Sequence, residues 1–193
     1  NLATSQAVVN ALRRDLADAE APASLNSVHF PFDAAHYIGE ISVRVQNEHP
    51  EVMKKSGVNV EASFILGGQI GLGEHEIYLI YPQGNYISTS DETPYLQIGE
   101  SKYGKPILDR IVTPQTSLED AARCALVSED STMRSNISVG PPLELLIYRA
   151  DSLGVDTRLL LKPQSPLYKK LQKTWNEGLR HVFERLPRFD WEQ

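Results

Sequence analysis

The chain has 193 residues, 41% hydrophobic and 23% charged, with a formal net charge of −6. That length suits one globular domain, 1–193, with a core large enough to need no staples, and the acidic balance argues against a general nucleic-acid binder. Its single cysteine, Cys124, excludes an intramolecular disulfide, and no apolar run approaches the roughly 20 residues that a membrane helix needs.

The first residues lack the basic and apolar regions of a signal peptide, so the expected compartment is the cytoplasm and no membrane partner is expected. The chain opens on Asn1, directly inside helical periodicity, and an upstream segment is expected to precede it. Leu2, Val8 or Val9, Leu12 and Leu16 form one stripe, predicting an amphipathic helix that ends near Glu20, before Ala21-Pro22. Asp33 reads as the N-cap of a second helix in which Ala34, Ile38, Ile41 and Val45 repeat, and Pro50 closes it. The period then changes. Val60 to Leu66, Glu76 to Tyr81, Tyr86 to Thr89 and Tyr95 to Ile98 are predicted strands, separated by Gly67-Gly68 and Pro82-Gln83-Gly84-Asn85.

Helices return with Pro106 to Val112, and with a capping box at Thr116-Ser117-Leu118-Glu119 that starts a helix reaching about Asp130 to Arg134. Leu143 to Tyr148 and Thr157 to Leu161 read as a strand pair. Ser165-Pro166 opens a long helix, with Leu167, Leu171, Trp175, Leu179, Val182 and Leu186 as its apolar stripe. The Lys/Arg-rich segment from Arg158 to Arg188 reads as a solvated helical face, with a subunit contact as the second choice. Helices and strands come in blocks rather than in strict alternation, which predicts an α+β fold, not a doubly wound sheet.

Several motifs invite a chemical reading. Gly99-Glu100-Ser101-Lys102-Tyr103-Gly104-Lys105-Pro106 has the spacing of a phosphate loop, but Pro106 stands where a magnesium-binding hydroxyl is required, so the glycines read as a tight turn. The glycines between Gly67 and Gly73 lie between two strands and read as a hairpin loop, not a dinucleotide fingerprint. His29, His36, His49, His75 and His181 show no paired metal spacing. Neither cofactor nor metal is expected. Cys124, in a small-residue helical run, reads as a buried small hydrophobe. The polar run from Ser131 to Ser138 falls at a helix end before a strand, where its hydroxyls, amide and guanidinium cap the helix or support a nearby site.

Phe64-Ile65-Leu66-Gly67-Gly68-Gln69, Leu79-Ile80-Tyr81-Pro82, Gly84-Asn85, the run from Thr93 to Arg110, Cys124-Ala125-Leu126-Val127-Ser128 and Ser131-Thr132-Met133-Arg134-Ser135-Asn136 resemble the bacterial Anbu family of proteasome-like peptidases. The resemblance runs in order along nearly the whole chain. It implies the N-terminal nucleophile hydrolase fold, an αββα sandwich, here lacking its leading strands. It also implies a peptidase whose first residue, generally Thr, supplies the nucleophilic hydroxyl and whose free α-amine acts as base, tuned by a lysine and an aspartate.

On that resemblance the nucleophile, Asp and Lys lie upstream of Asn1, no catalytic group falls within 1–193, and the fragment alone is expected to be inactive. Supporting positions carry over residue by residue. The Gly-Ser-Gly turn of proteasome subunits corresponds to Gly99-Glu100-Ser101, with a carboxylate where a serine is usual. The Asp-x-x-Ser pattern corresponds to Ser135 and Ser138, with serine in place of aspartate. The implied partners are a peptide or unfolded protein substrate and further copies of the chain in a ring or spiral. A catalytically weak assembly subunit and a small-amide hydrolase of the same fold are the alternatives.

Overall fold

The computed structural model describes residues 1–48, 57 and 59–192. Pro50, expected to close the second helix, and His49 lie outside the described residues. The described residues gather into two compact units, those within 1–99 together with Tyr148–Gly154, and Glu100–Ile147 together with those within 155–192. The expected α+β class is what is observed, with helices and strands in blocks.

In the first unit, α1 (Leu2–Ala17) and α2 (Pro31–Gln46) are followed by β1 (Phe64–Gly68), β2 (Glu76–Ile80) and β3 (Tyr86–Ser88), which form one antiparallel sheet in the order β1-β2-β3. Asn1 caps α1, its side chain accepting from the Ala3 and Thr4 amides at 3.0 and 3.4 Å. The register pairs Phe64 with Ile80 and Leu66 with Tyr78, so alternate residues share a face. On that face Tyr78 and Ile80 are buried against Ala35 and Ile38 of α2, with Phe64, Leu66, Tyr86, Leu12 and Leu25 around them. Val8 of α1 packs with Tyr37 and Ile41 of α2 in the adjoining cluster.

Asp15 ties α1 to α2. It accepts from the Tyr37 hydroxyl at 2.6 Å and from the Arg14 guanidinium at 2.8 and 3.0 Å. The Tyr37 hydrogen bond first, and Arg14 next, hold the Asp15 carboxyl below the usual carboxylate range.

In the second unit, α3 (Lys105–Ile111) and α4 (Leu118–Ser135) precede β4 (Leu143–Tyr148), β5 (Val155–Leu161) and α5 (Pro166–Glu184), with a short 3₁₀ turn at Asp190–Glu192. β4 and β5 form a two-stranded sheet, and the short link between them is too brief for a parallel crossover. Leu126 of α4, Leu161 of β5 and Tyr168 of α5 form the buried cluster, flanked by Met133, Leu143, Leu145 and Leu171. Cys124 is buried, as its small-residue surroundings suggest, and burial pushes its thiol up.

Several expectations are corrected. The second helix starts at Pro31 with Phe30 as N-cap, so Asp33 lies inside the first turn. Pro31 supplies the fixed φ and a missing N–H at the helix start, which moves the boundary ahead of Asp33. The first strand begins at Phe64, not Val60. The carbonyls of Asn59 and Glu61 accept instead from the Asn1 side chain and α-ammonium at 2.7 and 3.0 Å. Among the described residues, Tyr95–Ile98 pairs with no strand. The cap of α4 is Ser117, which accepts from the Asp120 amide while Asp120 accepts from the Ser117 hydroxyl. Thr116 is drawn away by the preceding turn, its hydroxyl accepting from the Thr113 amide at 2.9 Å and donating to the Ile111 carbonyl at 3.2 Å. The apolar stripe expected for α5 is buried over only part of its length, since Leu167, Leu179 and Val182 are exposed, and Leu186, also exposed, lies past the helix end at Glu184.

Three tyrosines give the fold an alkaline limit. Burial, helped by hydrogen bonds to Asp15, Glu76 and Asp130 respectively, raises Tyr37, Tyr78 and Tyr168 to about 12. An unfolded tyrosine titrates near ~10. The folded state therefore favours the neutral phenol, and the stability so conferred is full below pH ~10 and is lost as pH rises from about 10 to about 12. An absorbance titration should show three of the eight tyrosines ionising only as the circular dichroism collapses. Eight ionisations near pH ~10 with the fold intact would contradict this.

Candidate functional site

Gly99 takes a positive φ of 84°, turning the chain into Glu100 and Ser101 ahead of α3. Gly104 then starts α3 in close contact with α4, because a Cβ there would stand 2.2 Å from the Ser128 Oγ and 3.1 Å from the Ser128 carbonyl oxygen. Gly99 thus serves a turn, as the sequence context predicts, and Gly104 serves a helix contact that it does not.

α4 ends at Ser135, with Asn136 as its C-cap, the Asn136 amide donating to the Thr132 carbonyl at 2.8 Å. The Asn136 side chain joins the two ends of the candidate site. Its Nδ2 donates to the Glu100 Oε2 at 3.2 Å, while its Oδ1 accepts from the Ser138 amide at 2.9 Å and the Ser138 hydroxyl at 2.6 Å. The Lys102 amide donates to the other Glu100 oxygen at 3.2 Å. The Ser101 carbonyl accepts from Lys105 in the first turn of α3 at 2.9 Å.

Of the four residues singled out in the sequence, the structure links Glu100 and Ser138 through Asn136. Ser101 neighbours Glu100 in the chain, and Ser135 is an exposed residue at the end of α4. Asn136 is the member that sequence reasoning did not select. Its signal was present all the same: an asparagine at a helix end with a serine two residues on is the pattern of an Asx turn.

The arrangement is a short relay, carboxylate to carboxamide to hydroxyl, in which a neutral amide fixes both a negative charge and an O–H. Such a relay positions groups well and lacks a nucleophile–base pair of its own. Among the described residues, no group of three or more His, Cys, Asp or Glu is placed to hold a metal ion. Nor is any helix among them long and apolar enough to cross a membrane.

No family model matches the chain, and no curated protein matches it. Solved structures do. Anbu (ancestral beta-subunit) from Yersinia bercovieri is 40% identical with a TM-score of 0.91, the match covering 98% of this chain and 78% of that one. The Pseudomonas aeruginosa Anbu complex, described as a helical assembly, is 44% identical with a TM-score of 0.91, covering 98% of this chain and 77% of that one. The chain belongs to the Anbu family.

A third Anbu structure, from Hyphomicrobium sp. strain MC1, is 35% identical with a TM-score of 0.86, covering 98% of this chain and 78% of that one. The resemblance carried by Phe64–Gln69, by the Thr93–Arg110 run and by the α4 residues thus agrees with likeness over the whole described fold. Anbu is a proteasome-like family, and this chain shares its α+β architecture.

Proposed function

We propose that this protein is a subunit of a proteasome-type, homo-oligomeric peptidase, a threonine-type enzyme of the N-terminal nucleophile hydrolase class with an αββα sandwich. Its nucleophile, an N-terminal hydroxyl carried with its Asp and Lys on residues before Asn1, attacks the peptide carbonyl. The α-amine takes the hydroxyl proton and later delivers it to the leaving amine, and water then hydrolyses the ester. The single observation that carries this reading is membership of the Anbu family. Within the chain, the Glu100–Asn136–Ser138 relay supports it, with Ser101 and Ser135 beside it. These residues position; they do not react. The Asn1 side chain is an amide that caps α1, so the residue has no hydroxyl to offer. Residues 1–193 alone are therefore expected to be inactive. The substrate class is peptide or unfolded protein, the compartment is the cytoplasm, and the oligomer is a ring or a spiral, in keeping with the Pseudomonas relative.

The test uses the full-length protein and an electrophile that traps an N-terminal hydroxyl. A single adduct at the first residue of the mature chain is expected, with turnover of peptides faster than of small amides. Asn136→Ala should lower kcat about 10- to 100-fold and shift the pH profile of kcat with little change in KM, the size seen when supporting hydrogen bonds around a reacting group are removed. Asn136→Asp, which keeps the shape but sets a second carboxylate against Glu100, should be worse than Asn136→Ala. An unchanged profile in both variants would remove the relay from the mechanism. Glu100 and Ser135, standing where serine and aspartate are usual, favour one second reading, an assembly subunit with little activity. The absence of any adduct on folded, mature protein would select it.

A further inference from the structure

On α2, Tyr37, Glu40, Ile41 and Arg44 fall three and four residues apart, so the four share one side of the helix. A cavity of about 420 Å³ lies against that side, and Arg14 and Asp15 of α1, with Pro22 and Ala23 of the following loop, complete its lining. The volume is in the range of small-molecule sites. Tyr37 and Ile41 are buried, and the Tyr37 hydroxyl stands 2.6 Å from Asp15 Oδ2 and 3.1 Å from the Ala23 carbonyl oxygen. Those contacts fix both helices and the loop around the opening, so the cavity is pre-formed.

The charges around it are unevenly matched. Two guanidiniums share the one Asp15 carboxylate. Arg14 takes it through Nε and Nη2 at 3.0 and 2.8 Å, whereas Arg44 stands 4.0 Å away. Among the described residues the Arg44 side chain donates no hydrogen bond, and that end of the cavity carries one positive charge in excess. Glu40, one turn before Arg44, is spaced to pair with it along the helix. Instead its carboxylate turns back to His36 Nε2 at 3.5 Å. An acid and a guanidinium thus flank the cavity about 6 Å apart along the helix axis, each half-exposed or more.

The geometry points to a binding site for a small zwitterion, an α-amino acid with an apolar side chain. Its carboxylate meets Arg44 and Arg14, its ammonium meets Glu40, and its side chain lies on Pro22, Ala23 and Ile41. A guanidinium fork is the donor set that fits a carboxylate best. A plain anion would face Glu40 and a plain cation would face the two guanidiniums, and like charges so placed repel. Only a ligand that carries both signs on neighbouring atoms answers both ends. The site uses none of the Glu100–Asn136–Ser138 relay and needs no nucleophile, so it stands or falls apart from the peptidase reading.

The experiment titrates the full-length protein with three ligands, followed by ligand-observed NMR: leucine, isocaproate, which lacks the ammonium, and isopentylamine, which lacks the carboxylate. Leucine should bind saturably and at least about 10-fold more tightly than either relative, the size of one charge-assisted hydrogen bond lost. Arg44→Gln should weaken leucine and isocaproate about 10-fold and leave isopentylamine unchanged. Glu40→Gln should weaken leucine and isopentylamine and leave isocaproate unchanged. Leucine without saturable binding overturns the site. Isocaproate or isopentylamine binding as tightly as leucine overturns the zwitterion. Leucine binding that neither substitution alters puts the ligand elsewhere on the protein and overturns the site as well. Should one variant fail to fold, the wild-type series and the other variant decide.

Discussion

Replacing Gly39 by alanine is expected to destabilise the first unit by about 3–5 kcal/mol, at the upper end of what single substitutions do. For a chain of this size that is a fall in Tm of about 6–20 °C. Gly39 sits mid-helix in α2, where glycine is intrinsically a poor choice. The reason for it is contact. A Cβ at Gly39 would stand 2.2 Å from the Gly84 carbonyl oxygen and 3.0 and 3.1 Å from the Gly84 carbonyl carbon and Cα. All three are backbone atoms, so no side chain can turn aside. Nor can the loop retreat easily. Gly84 has a φ of 86°, its amide donates to the Tyr81 carbonyl at 2.9 Å, and the Tyr81 amide donates to the Asn85 carbonyl at 2.8 Å. The Gln46 side chain pins the same turn to α2 through the Pro82 carbonyl at 2.9 Å. Gly178→Ala is the internal control. It lies in α5, where an added Cβ meets nothing within 4 Å. There the helix-propensity gain of roughly 0.5–1 kcal/mol should appear unopposed. Thermal melts of both variants decide the matter, and a Gly39→Ala protein melting within ~2 °C of wild type would show that α2 and the turn are not in contact.

The same pair of glycines shows what a sequence reading can reach. The elements with the clearest local signals were legible: β4 as Leu143–Tyr148, and α5 opening at Pro166 behind Ser165. In both, the deciding information lies in adjacent residues: a run of Leu and Ile, or a proline at the first helical position. Where two neighbours compete for one role, local reading fails. Thr116 and Ser117 can each cap α4, and only the turn that engages Thr116 settles it. Asp33 is a good cap residue that Pro31 overrides. Burial on the far half of α5 was illegible for a deeper reason. An apolar stripe declares that something covers it, without saying whether that something belongs to the same chain.

The candidate site divides in the same way. Glu100, Ser101, Ser135 and Ser138 came from family resemblance, which transfers positions. Asn136 stood in the sequence only as one polar group of the Ser131–Ser138 run, and its bridging of Glu100 to Ser138 came from geometry. A residue that matters by bridging two others has no composition signal apart from its partners, and those partners lie 36 and two residues away.

Asp130→Ala is expected to be the second large loss, about 2–4 kcal/mol, the range for leaving two buried or part-buried polar groups without their acceptor. In sequence Asp130 is unremarkable, an acid one turn before Arg134 on a helix with polar faces. In the fold it is 2% exposed and accepts from Arg134 Nε at 3.0 Å, from the Tyr168 hydroxyl at 3.4 Å and from the Gln172 side chain. One carboxylate thereby ties α4 to α5, next to the apolar contact of Leu126, Leu161 and Tyr168. Alanine would leave the Tyr168 phenol and the Gln172 amide without their common acceptor, each carrying a desolvation cost, while the exposed Arg134 guanidinium turns to water. Asp130→Asn keeps an acceptor oxygen and the shape, and should lose less, about 1 kcal/mol, as a charged acceptor of the Tyr168 and Gln172 hydrogen bonds becomes a neutral one. Melting curves rank the two. A second readout separates the hub from a generic core defect. With Asp130 gone, Tyr168 loses one of the causes that raise it, so it should titrate closer to the ordinary tyrosine range in the alanine variant. Should Asp130→Ala melt like wild type, the tie between α4 and α5 would have to be apolar alone.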